Sequence, residues 1–302
     1  MLDIIVRAGC FVAIILLGYG LKRIGFFKQE DFTLLSKITI RITLPATIIV
    51  NFSGKEFDSS LLSLGLLALF CGATYLLVGF LVERKNGKDA QAFSMLNLTG
   101  YNIGTFVIPF AQSFLGPVGV IATSLFDTGN AVMCLGGAYS LASMVKDGCG
   151  FSIKRILYSL VRSVPFMCYM LMLFLNAVNL PLPDPIVSCA GIIGNANAFM
   201  AMLMIGVGFQ LSGDRSQIAS IAKLLLIRYG IGAVFALAFY FLLPFSTEIR
   251  QALVILALSP IGSAVPGFTG EMKADVGLSS AINSIAIIIS IAITVILLSI
   301  ML

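Results

Sequence analysis

The chain has 302 residues, 59% hydrophobic and 11% charged, with a formal net charge of +5 and a mean hydropathy of +1.03. Soluble domains carry about 25% charged residues, so this composition leaves no room for a separate aqueous catalytic module. With no histidine and no CxxC spacing among its six cysteines, the chain also lacks the usual ligand sets for zinc or haem, and its cysteines read as buried free thiols.

Repeated apolar runs near twenty residues predict an integral membrane protein. In chain order the spans fall at 4–21, 34–52, 60–82, 91–115, 118–145, 154–179, 186–212, 217–243, 249–270 and 276–301. The first run has an acid at Asp3, lacks a small-residue cleavage site and ends on Lys22 and Arg23, so it reads as a retained span. Of nineteen Lys and Arg residues, sixteen fall in the loops after odd-numbered spans or at the adjacent span ends, Arg215 and Arg228 among them. The other three are Arg7, Lys55 and Arg250. That bias predicts both termini on the non-cytoplasmic side of the cell membrane. It also explains the positive charge without nucleic acid, which is not an expected partner.

Residues 146–153 form a short cytoplasmic linker dividing a first five-helix repeat (1–145) from a second (154–302). Five is odd, so the second repeat enters the membrane inverted. The expected fold is therefore all-α, with ten transmembrane helices in two inverted five-helix repeats. Spans 4 and 9 start alike, on Gln91 and Gln251, and both then become rich in Gly and Pro: GYNIGTFVIPF (100–110) and SPIGSAVPG (259–267). Proline removes a donor and glycine permits irregular backbone. In lipid such backbone survives only when buried in protein or lining a cavity. Paired breaks at matching positions point to a transporter's binding site. Asn102, Gly104, Thr105 and Pro109 in span 4, with Ser259, Pro260, Gly262, Ser263 and Pro266 in span 9, are the candidate substrate-binding residues. Two half-helix N-termini there favour an anionic group.

Asp127, in LFDTGNAV, lies about 15 Å into span 5 by helix rise. An intramembrane carboxylate is a functional candidate: a proton carrier, a sodium ligand or the partner of a distant cation. Asn130 lies one turn on, and Asn283 falls at nearly the matching position of span 10. Asp127, Asn130 and Asn283 are the candidate ion-coupling residues. No metal site or bound cofactor is expected, only H+ or Na+ as a coupling ion.

Four segments carry a family resemblance that covers essentially the whole chain: LGYGLKRIGFFKQEDFTLLSKITIRITLPATIIVNFSG, NIGTFVIPFAQSFLGPVGV, LFDTGNAV and LSPIGSAVPGFTGEMKADVGLSS. The chain resembles the auxin efflux carrier family of membrane transporters. The resemblance implies a fold related to bile-acid/sodium symporters and sodium/proton antiporters. Spans 1, 2, 6 and 7 would form a scaffold domain, and spans 3–5 and 8–10 a transport domain whose broken helices cross. It implies elevator-type secondary transport of small organic anions such as malate or malonate, and a homodimer formed through the scaffold. By residue match, Asn102, Pro109, Asp127 and Pro266 carry crossover and site roles. Two features depart from the family pattern: Val107 stands where a glycine is frequent, and the long central loop of the plant exporters is absent. The alternatives are a sodium-dependent symporter of the bile-acid type, a membrane sensor of organic acids, and an intramembrane enzyme. No HExxH motif or mid-membrane Ser–Lys pair supports the last.

Overall fold

The computed structural model describes residues 2–55, 59–148, 150–209 and 217–302; Cys149, and Arg215 with the rest of the loop 210–216, lie outside the described residues. Among the described residues every regular element is helical. The first four helices are α1 (Leu2–Arg23), α2 (Asp31–Ile38), α3 (Leu44–Phe52) and α4 (Ser63–Val82). Next come α5 (Lys88–Leu98), α6 (Ile108–Phe110), α7 (Gly116–Val132) and α8 (Ala138–Asp147). The chain continues through α9 (Ile153–Arg162), α10 (Val164–Ala177), α11 (Asp184–Gly194) and α12 (Asn197–Gly208). It ends with α13 (Ile218–Leu242), α14 (Thr247–Ala257), α15 (Val265–Glu271) and α16 (Val276–Met301). Six helical runs among the described residues are long and apolar enough to cross a membrane, or seven if the bent pair α9–α10 counts as one. The protein is a multi-pass membrane protein.

Wide π-helical turns join several elements. Thr39–Thr43 carries α2 into α3, whereas Met133–Gly137, between α7 and α8, is kinked at Gly136 (φ +152°). Pro45 accounts for the first, because its missing N–H would strand a carbonyl one turn earlier. Three threonine hydroxyls re-bond the loosened turns: Thr39 to Leu35 O (2.8 Å), Thr43 to Thr39 O (3.2 Å) and Thr47 to Thr43 O (3.1 Å). In a membrane interior, such side-chain bonds supply what water cannot.

Close helix contacts rest on small residues. A Cβ on Gly18 or Gly206 would strike the facing backbone, at 2.5 Å from Leu203 O and 2.1 Å from Ile15 O, so α1 and α12 lie backbone to backbone. Gly129 does the same for α4 and α7, where its Cβ would lie 1.9 Å from Gly65 O, while a Cβ on Gly65 would meet the Thr128 hydroxyl at 2.9 Å. α1 lies on α12, and α3 on α10, α11 and α7, while α4 lies on α5 and α7, α14 on α7 and α13, and α15 on α16.

Three sequence expectations need correction. The run expected as one span at 154–179 is two helices, α9 and α10, meeting at 78°. Ser163 is extended there, Pro165 opens α10, and the Ser163 hydroxyl accepts from Phe166 N. α9 buries Ile156 and Leu160 and exposes Leu157, Tyr158 and Val161. The thiols are not uniformly buried: Cys71 and Cys168 are, but Cys10 and Cys189 are exposed on helix surfaces. Arg228 is not near a span end. It sits about 15 Å into α13 by helix rise and is 1% exposed.

Candidate functional site

Two helices are interrupted in mid-course. α5 stops at Leu98, and residues 99–102 run without helix before helical turns resume at Ile103. α14 stops at Ala257, and residues 258–264 are irregular before α15. Pro109 and Pro266 lie in the helical turns after the breaks, and Pro260 lies inside the second break. The first break turns instead on Gly100, at φ +88°, where a Cβ would lie 2.3 Å from Cys134 Sγ.

The interruptions meet. Asn102 N–H donates to Pro260 O at 2.9 Å, joining one unwound segment to the other. Asn130 fixes the first break in both directions: its Oδ1 accepts from Tyr101 N (3.0 Å) and its Nδ2 donates to Tyr101 O (3.1 Å). The same amide donates to Asp127 Oδ1 at 2.8 Å. Asp127 Oδ2 accepts from the Tyr169 hydroxyl of α10 at 3.0 Å. Thr105 Oγ1 donates to Asn102 Oδ1.

A cavity of about 150 Å³ opens beside this junction. Its walls include Tyr101–Thr105 from the first break, Gly262–Ala264 from the second, Asp127 and Asn130 from α7, and Ser163, Phe166 and Tyr169 from the α9–α10 bend. Drug-sized sites occupy ~300–1,000 Å³, so this one suits a molecule of a few carbons. A larger groove of about 670 Å³ between α13 and α16 is lined by Ile221, Leu225, Ile285 and Ile289. Its hydroxyl, Tyr229, is already bonded to Ala286 O and Ser290. The small cavity is where polar side chains meet both helix interruptions.

Of the residues singled out from sequence, Asn102, Gly104, Thr105, Gly262, Ser263, Asp127 and Asn130 line this cavity. Pro109, Ser259, Pro260, Pro266 and Asn283 are not among its walls. Ser259 and Pro260 turn their carbonyls toward Arg228. Asn283 is on α16, and its Oδ1 is buried without a hydrogen-bond partner among the described residues.

Two residues of this region were not singled out. Tyr169 holds Asp127 from another helix, a contact that an aromatic residue in an apolar run does not announce. Arg228 Nη1 donates to Leu98 O (2.7 Å), and its Nη2 lies within hydrogen-bond distance of Gly100 O (2.9 Å), Ser259 O (3.0 Å) and Pro260 O (3.0 Å). A cation ten residues inside a span was the signal available; its acceptors, all main-chain oxygens, have no sequence signature.

Chemically, the junction offers hydrogen-bond donors at two helix starts, where backbone N–H groups lack intrahelical acceptors, next to one carboxyl able to carry a proton. Interrupted membrane helices that meet over a polar cavity are the arrangement found at the binding sites of many membrane transporters. Residues 10–147 match the model of the Mem_trans family, described as membrane transport protein, and this bears out the resemblance to auxin efflux carrier-type transporters. A protein of Methanothermobacter thermautotrophicus named as an uncharacterized transporter is 24% identical over 210 residues. The shared region spans 67% of this chain and 66% of that protein, just under two thirds of its length.

Proposed function

We propose that the protein is a secondary active carrier of small organic anions, carboxylates in particular, across the cytoplasmic membrane. The observation that carries this reading is the cavity where the two interruptions meet. Asn102, Thr105 and Ser263 provide polar side chains there, and the first turns after both breaks carry N–H groups that lack an intrahelical acceptor. Helix starts favour negative charge, and dipoles without a full countercharge at the wall hold an anion weakly enough to release it. The volume of the cavity favours mono- and dicarboxylates of a few carbons.

In this reading the ten spans form two inverted repeats, 1–145 and 154–302. The helices around α4, α5, α7 and α13–α16 move as a transport element against α1–α3 and α10–α12, carrying the site in an elevator motion. The Asp127–Tyr169 bond crosses between those two groups and must break when they slide. Asp127 is the coupling group: protonated, it adds no charge opposing the anion; ionised, it repels it. Asn130 positions that carboxyl and the first break together. The scaffold group forms the face for a homodimer. Both termini lie on the non-cytoplasmic side.

The test is a thermal-shift screen of purified protein against carboxylates, sugars and organic cations. Stabilisation by small carboxylates, reduced in Asn102→Ala, is the expected result. Stabilisation confined to sugars or cations would sink the anion reading.

A further inference from the structure

The carbonyl ends of the two interrupted helices converge on a single side chain. Leu98 and Gly100 belong to the first interruption, Ser259 and Pro260 to the second, and the Arg228 guanidinium bonds all four at 2.7–3.0 Å. Tyr75 and Tyr101 place their rings 5.3 and 5.4 Å from its central carbon. The Tyr75 hydroxyl donates to Arg228's own carbonyl at 3.1 Å, tying α4 to that turn of α13. Among the described residues no carboxylate pairs with Arg228.

A structural staple alone would not need a charge here. The C-terminal end of a helix carries partial negative charge, and two such ends meet at this point. Unwound carbonyls of this kind in membrane transporters form the oxygen cages that hold a sodium ion. Here the cage is filled by a cation attached to the chain. Aromatic faces on the guanidinium add the attraction a desolvated cation obtains from a ring quadrupole. An arginine keeps its charge in any protein environment, so this cation neither leaves nor is neutralised during a transport cycle.

We propose that Arg228 is a resident substitute for a coupling sodium ion: it occupies the carbonyl cage at the helix crossing, so the crossing assembles without sodium and the carrier runs independently of it. Arg228 is in this sense a positioning and ion-specificity residue. It does not itself line the cavity, but it stacks on the wall residue Tyr101 and fixes Gly100 and Pro260, which lie next to Tyr101, Asn102 and Gly262 of the wall. The proposal deepens the reading of the crossing as the transport site and rests on it. A second small cation cannot share the same four oxygens with the guanidinium, and Asp127 is the one carboxyl that lines the cavity.

The experiment compares thermal unfolding of purified protein, without substrate, in sodium chloride and in choline chloride at equal ionic strength. The wild type is expected to show the same midpoint in both. Arg228→Ala is expected to unfold at a lower midpoint and to regain part of the loss with sodium or methylguanidinium but not with choline. A saturable, sodium-specific rise in the wild-type midpoint would overturn the proposal. So would an Arg228→Ala protein that folds and shows neither cation response. Should Arg228→Ala fail to fold, the wild-type comparison still decides, as does Arg228→Lys, which retains a cation and is expected to remain indifferent to sodium. No substrate enters this measurement, so a failure of carboxylates to bind would count against the carrier reading and leave the cation result standing.

Discussion

The backbone N–H of Asn102 donates to the carbonyl of Pro260 at 2.9 Å, across 158 positions of sequence. This one bond makes the two interrupted helices a single junction. Each interruption exposes main-chain groups that lipid cannot satisfy, and here each supplies partners for the other, with Arg228 and Asn130 completing the set. The side chain of Asn102, on the same residue, lines the cavity. Altering the junction should therefore alter stability and ligand binding together.

Asn130 is the clearest case. Asn130→Ala removes both bonds to the Tyr101 backbone and the donor to Asp127. Leaving buried polar groups without partners costs about 1–3 kcal/mol. A lowered unfolding midpoint in detergent, with weakened carboxylate stabilisation, is the expected outcome. An unchanged midpoint would mean that the break holds its shape without Asn130.

Gly100→Ala should be more damaging than an ordinary glycine substitution in a loop. Its φ of +88° disfavours any side chain, and the new Cβ would meet Cys134 Sγ at 2.3 Å. Non-glycine strain of this kind costs on the order of 1–3 kcal/mol. Adding Cys134→Ala relieves the collision but not the dihedral strain, so the double variant should recover only part of the yield of folded protein. Full recovery would assign the whole effect to the sulfur contact.

Asp127→Asn removes the one carboxyl on the cavity wall while keeping its size. If Asp127 couples a proton to transport, uptake into proteoliposomes loses its dependence on an imposed pH gradient, and exchange of internal for external substrate persists. A full pH-gradient response in the variant would remove Asp127 from the coupling role.

Glu83, just past the end of α4, provides a pH test away from the site. Burial favours its neutral form and raises its pKa, but hydrogen bonds from Lys223 (2.7 Å) and Asn86 outweigh it, so its pKa lies below the usual 4.5. A folded-state pKa below the unfolded one stabilises at pH values above the unfolded pKa, and that stabilisation is lost as pH falls through the folded pKa. Glu83→Gln should therefore flatten the fall in unfolding midpoint on acidification below the carboxylate range, with little change to the slope near neutrality. An acid limb as steep as the wild type's would show that Glu83 contributes nothing to it.

How far these features were legible in the sequence depends on whether side chains or main chain carry them. The interruptions showed because glycine, proline and small polar residues are conspicuous in an apolar run. The Asp127–Asn130 contact follows from three-residue spacing on a helix. The location of the unwinding did not show: proline suggested breaks at Pro109 and Pro266, yet the chain unwinds before each, with the first turn enabled by Gly100. The bend at Ser163 was hidden because the apolar residues of amphipathic α9 run on into apolar α10 at the length of one span. Arg228 was counted with loop residues because charge counting looks along the chain, while its partners are carbonyls from two other helices. Tyr169 likewise gains its meaning only from the tertiary contact with Asp127.

The central claim is that the cavity at the crossing carries small organic anions. Its most direct test is uptake of labelled mono- and dicarboxylates into proteoliposomes containing the purified protein, with protein-free vesicles and Asn102→Ala as controls. The expected result is saturable uptake of at least one small carboxylate, displaced by unlabelled carboxylates and reduced in the variant. Carboxylates entering no faster than into protein-free vesicles, while a sugar or an organic cation is taken up saturably, would contradict it.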